Sequence, residues 1–150
     1  MSLAQHISQQ IERIEALQQL LEQEQQILGQ GQIDGEQLQA IATQKQELQQ
    51  QLDRQEAIRR AAQLKLGYEA TSQGARQAAA QAGCADLWAT LLERTQRVAH
   101  LNHLNGELIQ HRLHHNQHML NILRDAAGSA PIYDAAGQSK TTPQRINSKA

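Results

Sequence analysis

Residues 2–38 read SLAQHISQQIERIEALQQLLEQEQQILGQGQIDGEQL, and this stretch decides the fold. Ser2 with Gln5 three residues later has the form of a capping box, which starts a helix. Leu3, Ile7, Ile11, Ile14, Leu17, Leu21 and Leu28 then recur at steps of three, four and seven, one apolar stripe along a helix. Gly29 and Gly31 stop it in the manner of helix C-terminal glycines. Asp34 with Gln37 repeats the start signal. A connection of about six residues then forces an antiparallel helical hairpin. The second stripe runs Leu38, Ile41, Leu48, Leu52, Ile58, Ala62 and Leu66.

No proline occurs before Pro131, so everything upstream is free to be helical. Gly67 weakens the second helix, and residues 67–85 read as a partly helical connector: Thr71-Ser72 caps a turn through Ala78-Ala79-Ala80, which Gly83 closes. A third helix opens near Ala85 or Asp86 and runs to about Ala126, roughly 60 Å at 1.5 Å per residue, outreaching the other two. The sequence thus predicts an all-α fold, an elongated antiparallel three-helix bundle or coiled coil. Its helices span about 3–28, 35–66 and 86–126 within a domain of residues 1–127, and residues 128–150 follow as a mobile C-terminal tail. Residues 18–55 are Gln-rich, but the preserved apolar stripe argues against disorder.

Composition narrows the function. Phe is absent and Trp88, Tyr68 and Tyr133 are the only aromatics, so a rounded core gives way to seam-like contact between Leu-, Ile- and Ala-bearing helices. A net charge of −1 removes the electrostatic argument for nucleic acid. The lone Cys84 forms no internal disulfide and fits a reducing compartment. The N-terminus lacks the pattern of a signal peptide, and no run approaches the ~20 apolar residues of a membrane span. The expected location is cytoplasmic.

At ~100° per residue, residues 108–124 divide into two halves. Leu108, Ile109, Leu113, Met119, Leu120, Ile122 and Leu123 fill one, wider than a two-helix seam requires, and form a candidate binding face. Glu107, Gln110, His111, His114, Gln117, His118 and Asn121 fill the other. Six of the seven histidines lie between residues 100 and 118, but one straight helix usually supplies two metal ligands, and no His-Glu-x-x-His or paired Glu-x-x-His occurs. No metal or cofactor is expected, and a solvated His-bearing face accounts for the row. Asn102 and Asn105 lie on the apolar side with Gly106 following: register-setting amides, and a glycine that permits close backbone approach. Trp88 and Leu91 read as core. Cys84 has no basic neighbour to activate it. Nothing assembles an acid, a base and a pocket, so the chain is not expected to be an enzyme. Tyr133 stands in a polar tail, where it either folds back on the bundle or anchors a partner, with Asp134 and Gly137 shaping the turn that presents it.

These features resemble the FlgN family of flagellar type III export chaperones. Leu101-Asn102-His103-Leu104-Asn105-Gly106-Glu107-Leu108-Ile109 is similar to that family's Asn-x-x-Asn-Gly helix signature. Ile132-Tyr133-Asp134-Ala135-Ala136-Gly137 is similar to its Tyr-Asp-x-x-Gly tail, and Ile146-Asn147-Ser148-Lys149-Ala150 also matches. The resemblance implies a cytosolic chaperone that uses no ATP, monomeric or weakly dimeric. Its partners would be the terminal amphipathic helix of hook–filament junction proteins, held by Leu108, Ile109, Leu113, Met119, Leu120 and Leu123, and the cytoplasmic domain of the flagellar export gate, met by Tyr133, Asp134 and Gly137. Two other classes stay open on the residues alone: a self-assembling coiled coil whose excess apolar face is its own seam, and a His-rich metal-binding helix protein.

Overall fold

The computed structural model describes residues 1–129, 132–133 and 139–140. Four helices occur among them: α1 (Leu3–Leu28), α2 (Gly35–Lys65), α3 (Ser72–Gln81) and α4 (Ala85–Ser129). The fold is an all-α helical bundle, with a fourth helix where the sequence pattern suggested a helical turn. Two-residue strands β1 (Ile132–Tyr133) and β2 (Ser139–Lys140) pair antiparallel, Ile132 opposite Lys140 and Tyr133 opposite Ser139. The sequence pattern gave no sign of them, and two residues a side is too short a ladder to stand alone in water. The chain divides into two compact units, Met1–Glu107 and Leu108–Ala150. No described helix is long and apolar enough to cross a membrane.

The first three helices begin where a side chain satisfies their free N–H groups. The Gln5 N–H donates to Ser2 Oγ at 3.2 Å, and the Ser2 N–H donates back to Gln5 Oε1 at 2.8 Å. Asp34 Oδ1 accepts from the N–H groups of Glu36 and Gln37 at 3.0 and 3.2 Å. Thr71 Oγ1 accepts from the Gly74 N–H at 3.0 Å and starts α3. After α2 the backbone turns at Gly67, whose φ of +89° is accessible to glycine without strain. At Gly74 a Cβ would overlap the carbonyl of Glu69, so only glycine lets α3 begin that close to the preceding turn.

In the first unit, α1 and α2 run antiparallel: Lys45 Nζ donates to Glu24 Oε1 at 3.2 Å, and Gln10 Nε2 to Glu56 Oε2 at 2.9 Å. The part of α4 up to Glu107 runs parallel to α1, with Arg94 3.8 Å from Glu15 and Asn105 bonded to Leu21. The main core joins Leu3, Ile7, Leu17 and Leu21 of α1 to Ala75, Ala78 and Ala79 of α3 and to Trp88, Leu91 and Val98 of α4. Leu20, Ile27 and Ile41 form a second cluster between α1 and α2.

The α2 stripe departs from the sequence reading. Ile58 and Leu66 are 53% and 56% exposed, whereas Arg59 and Gln63 are buried. The reason is polar satisfaction. The Arg59 guanidinium lies 4.8 Å from the Trp88 ring centroid and donates to Gln63 Oε1 at 2.8 Å and Glu56 Oε1 at 2.8 Å. Gln63 Nε2 in turn donates to the carbonyls of Glu69 and Thr71. Buried polar groups persist when every donor has a partner, and here they hold the turn between α2 and α3. Burial raises the Glu56 pKa, but hydrogen bonds from Arg59, Gln10 and Arg60, with the Arg59 charge, outweigh it and hold the carboxyl down at about 2.

Candidate functional site

The residues singled out on α4 separate into a buried set and an exposed set. Asn105, 1% exposed, donates through Nδ2 to the Leu21 carbonyl at 2.8 Å and to Glu24 Oε1 at 3.0 Å. Glu24 is itself buried and also accepts from Lys45 Nζ. One amide thereby pins α4 to α1, and Glu24 carries the tie on to α2. A buried polar group of this kind fixes register, because any slip leaves it unpaired. Asn102 does not share that role: it is exposed, where the sequence reading put both amides on the apolar side. Gly106 also departs from expectation. No atom lies within 4 Å of where its Cβ would stand, so no close backbone approach uses it among the described residues.

In the second unit none of residues 108–128 is buried. Leu108 and Ile109 are half-buried. Leu113, Leu120 and Leu123 are 57%, 55% and 60% exposed, and Met119 and Ile122 are exposed with them. Leu113, Leu120, Leu123 and Met119 fall within about 120° of the helix circumference at 100° per residue. The division of faces is less sharp than the apolar positions alone suggest. Arg112, His115 and Asn116 fall in the same half, with His115 and Asn116 exposed. The helix therefore presents an apolar strip with polar interruptions.

His100, His103, His111, His114 and His118 are exposed along the same helix. His103 Nε2 lies 3.2 Å from Glu107 Oε1. Among the described residues no three His, Cys, Asp or Glu side chains converge as metal ligands would. Cys84 is buried, and burial pushes its thiol pKa up, away from the reactive thiolate. Tyr133 lies in β1, while Asp134 and Gly137 and most of the tail 128–150 lie outside the described residues.

Gln10, Glu24, Glu56 and Arg59 escaped a reading tuned to apolar residues. The signal was present for two of them. Ile7, Gln10, Ile14, Leu17, Leu21, Glu24 and Leu28 step by three and four, so Gln10 and Glu24 occupy seam positions of a heptad pattern.

The model of one protein family, described as FlgN protein, matches residues 1–141. The chain belongs to the FlgN family. It is 32% identical over 140 residues to the flagella synthesis protein FlgN of Escherichia coli (strain K12), covering 93% of this chain and 91% of that protein. The protein of the same name from Salmonella typhimurium is 33% identical over 126 residues, covering 84% of this chain and 81% of its own length. That from Proteus mirabilis is 30% identical over 138 residues, 92% of this chain and 90% of its own. No solved structure matches. The FlgN match takes in the whole of α1 to α4, well beyond the Asn-x-x-Asn-Gly and tail motifs that suggested it.

Proposed function

We propose that this chain is a cytosolic, non-enzymatic flagellar export chaperone. The stretch Leu108–Leu123 of α4 holds the terminal amphipathic helix of a hook–filament junction protein, keeping it soluble. The tail, through Tyr133 with Asp134 and Gly137, docks on the cytoplasmic domain of the export gate. The observation that carries the reading is the strip of exposed Leu113, Met119, Leu120, Ile122 and Leu123 in a chain of the FlgN family. Helix-in-groove docking uses such i, i+3, i+4 and i+7 anchors. The two contacts lie on different segments and are separable by mutation.

The test is one variant titrated against two partners. Tyr133→Ala abolishes binding to the export-gate domain, leaves the affinity for the client helix within error, and leaves helical content unchanged. Loss of both contacts, or of neither, refutes the assignment. Light scattering checks the competing occupant of the exposed leucines, a second copy of this chain: the reading requires a monomer or weak dimer that client displaces.

A further inference from the structure

The first unit contains a trough that the packing of its helices leaves unfilled. It has a volume of about 700 Å³, lies between α2 and α4 with α1 as its floor, and opens to solvent along one side. Ile14, Leu17 and Leu21 line the floor, with Leu91 and Val98 from α4. The α2 wall extends from Lys45 to Glu56 and the α4 wall from Trp88 to Asn102. At 1.5 Å per residue these walls are roughly 17 and 21 Å long, room for three to four turns of helix.

The charge of the α2 wall says what kind of helix fits. Lys45 is tied to Glu24, and Glu56 to Arg59 and Arg60. Asp53 accepts an amide hydrogen bond from Gln49 at 3.2 Å and meets no cation among the described residues. On the α4 wall Thr95, Ala99 and Asn102 carry no charge. The complementary occupant has an aliphatic face, one Lys- or Arg-bearing edge toward Asp53, and an uncharged opposite edge.

We infer that this trough is a second docking site, distinct from the exposed strip of residues 108–123, and that it takes an amphipathic helix of a partner protein with a basic edge, completing a four-helix bundle. Trp88, the lone tryptophan, lines the trough and reports its occupancy.

The test uses the full chain carrying Leu120→Ala and Leu123→Ala, so that the exposed strip is disabled. The probe is a synthetic 18-residue helical peptide without aromatics, leucines on one face and lysines along one edge, together with a twin in which glutamate replaces lysine. The Lys-edged peptide changes Trp88 emission saturably, and the Glu-edged twin binds about fivefold more weakly, the scale of one exposed charge pair. Asp53→Lys inverts that order. Ala99→Phe fills the trough from an exposed helical position and weakens binding about tenfold with the melting temperature unchanged. Thr95→Leu, on the same wall, serves if Ala99→Phe melts early. An unresponsive Trp88, or equal binding of the twins regardless of residue 53, overturns the inference. So does a concentration-dependent dimer that Ala99→Phe abolishes, because the occupant is then a second copy.

Discussion

Truncating the exposed leucines of α4 distinguishes a binding strip from a core. Leu120 and Leu123 are 55% and 60% exposed, so more than half of each side chain remains to be buried by a partner. Fully burying an exposed Leu is worth about 1.5–3 kcal/mol. The remaining share is then about 0.8–1.8 kcal/mol per residue, so either Leu→Ala change weakens the client helix roughly 4- to 20-fold. The double change, acting on neighbouring turns, costs about 2–3 kcal/mol. The free protein loses little, because those atoms already face water and Ala propagates a helix as well as Leu. Leu91→Ala is the control: Leu91 is buried in the core, where such a change costs about 2–5 kcal/mol of stability. Isothermal calorimetry against the client's terminal helix and calorimetric melting of the free protein give the two readouts. Unchanged affinity with a melting temperature lowered by more than about 5 °C refutes the reasoning and makes Leu120 and Leu123 core.

The Asn105–Glu24 bond ties α4 to α1, and Asn105→Ala lowers stability by about 2–3 kcal/mol, the scale of a hydrogen bond to a charged group plus a small cavity. A double-mutant cycle with Glu24→Gln, measured by urea unfolding, gives a coupling of about 1 kcal/mol or more, and additivity within ~0.3 kcal/mol would show that the bond does not act. Glu56 has a folded pKa depressed to about 2 from 4.5, so its contribution is fully present above about pH 4.5 and is lost as pH falls toward 2. Glu56→Gln therefore starts less stable at neutral pH and loses less over that window; melting curves at pH 6 and pH 3 test it, and parallel losses in both proteins count against it. Glycine substitutions split by space: Gly106→Ala, with nothing near the added methyl, stabilises by about 1 kcal/mol, whereas Gly74→Ala, driven into the Glu69 carbonyl, destabilises by about 1–3 kcal/mol or more in thermal melts.

Helices were legible in this sequence wherever caps and aliphatic spacing agreed. Ser2 with Gln5 and the stripe from Leu3 to Leu28 placed α1, and Asp34 placed the start of α2. The reading drifted where the seam turned polar. After Leu52 the buried line passes to Arg59 and Gln63, seven and eleven residues on, while an apolar criterion follows Ile58 and Leu66 into solvent. Their burial depends on Trp88 and on the carbonyls of Glu69 and Thr71, partners contributed by other segments. Asn105 announced itself as a polar residue on an apolar side, but its acceptor Glu24 lies 81 positions away in the chain. The trough was illegible for a different reason. It follows from how far α2 and α4 stand apart over α1, which no spacing within one helix encodes.

The stretch beyond Glu107 shows why exposed leucines and a stable helix coexist. An isolated helix of some twenty residues is marginal in water, because nucleation is costly. Residues 108–129 continue a helix that Ala85–Glu107 has already begun, so they require only propagation. Propagation asks for helix formers and no burial, and this stretch supplies Leu, Met, Gln, Arg and Ala with no internal glycine or proline before Gly128. The leucines are thus not needed to hold their own helix together. Scattered exposed aliphatics need no explanation, but five large ones within the eleven residues Leu113–Leu123 crowd one half of the helix. A strip that its own fold does not require, on a helix whose preceding residues are anchored by Asn105, Glu24 and Lys45, is what the proposed client contact needs.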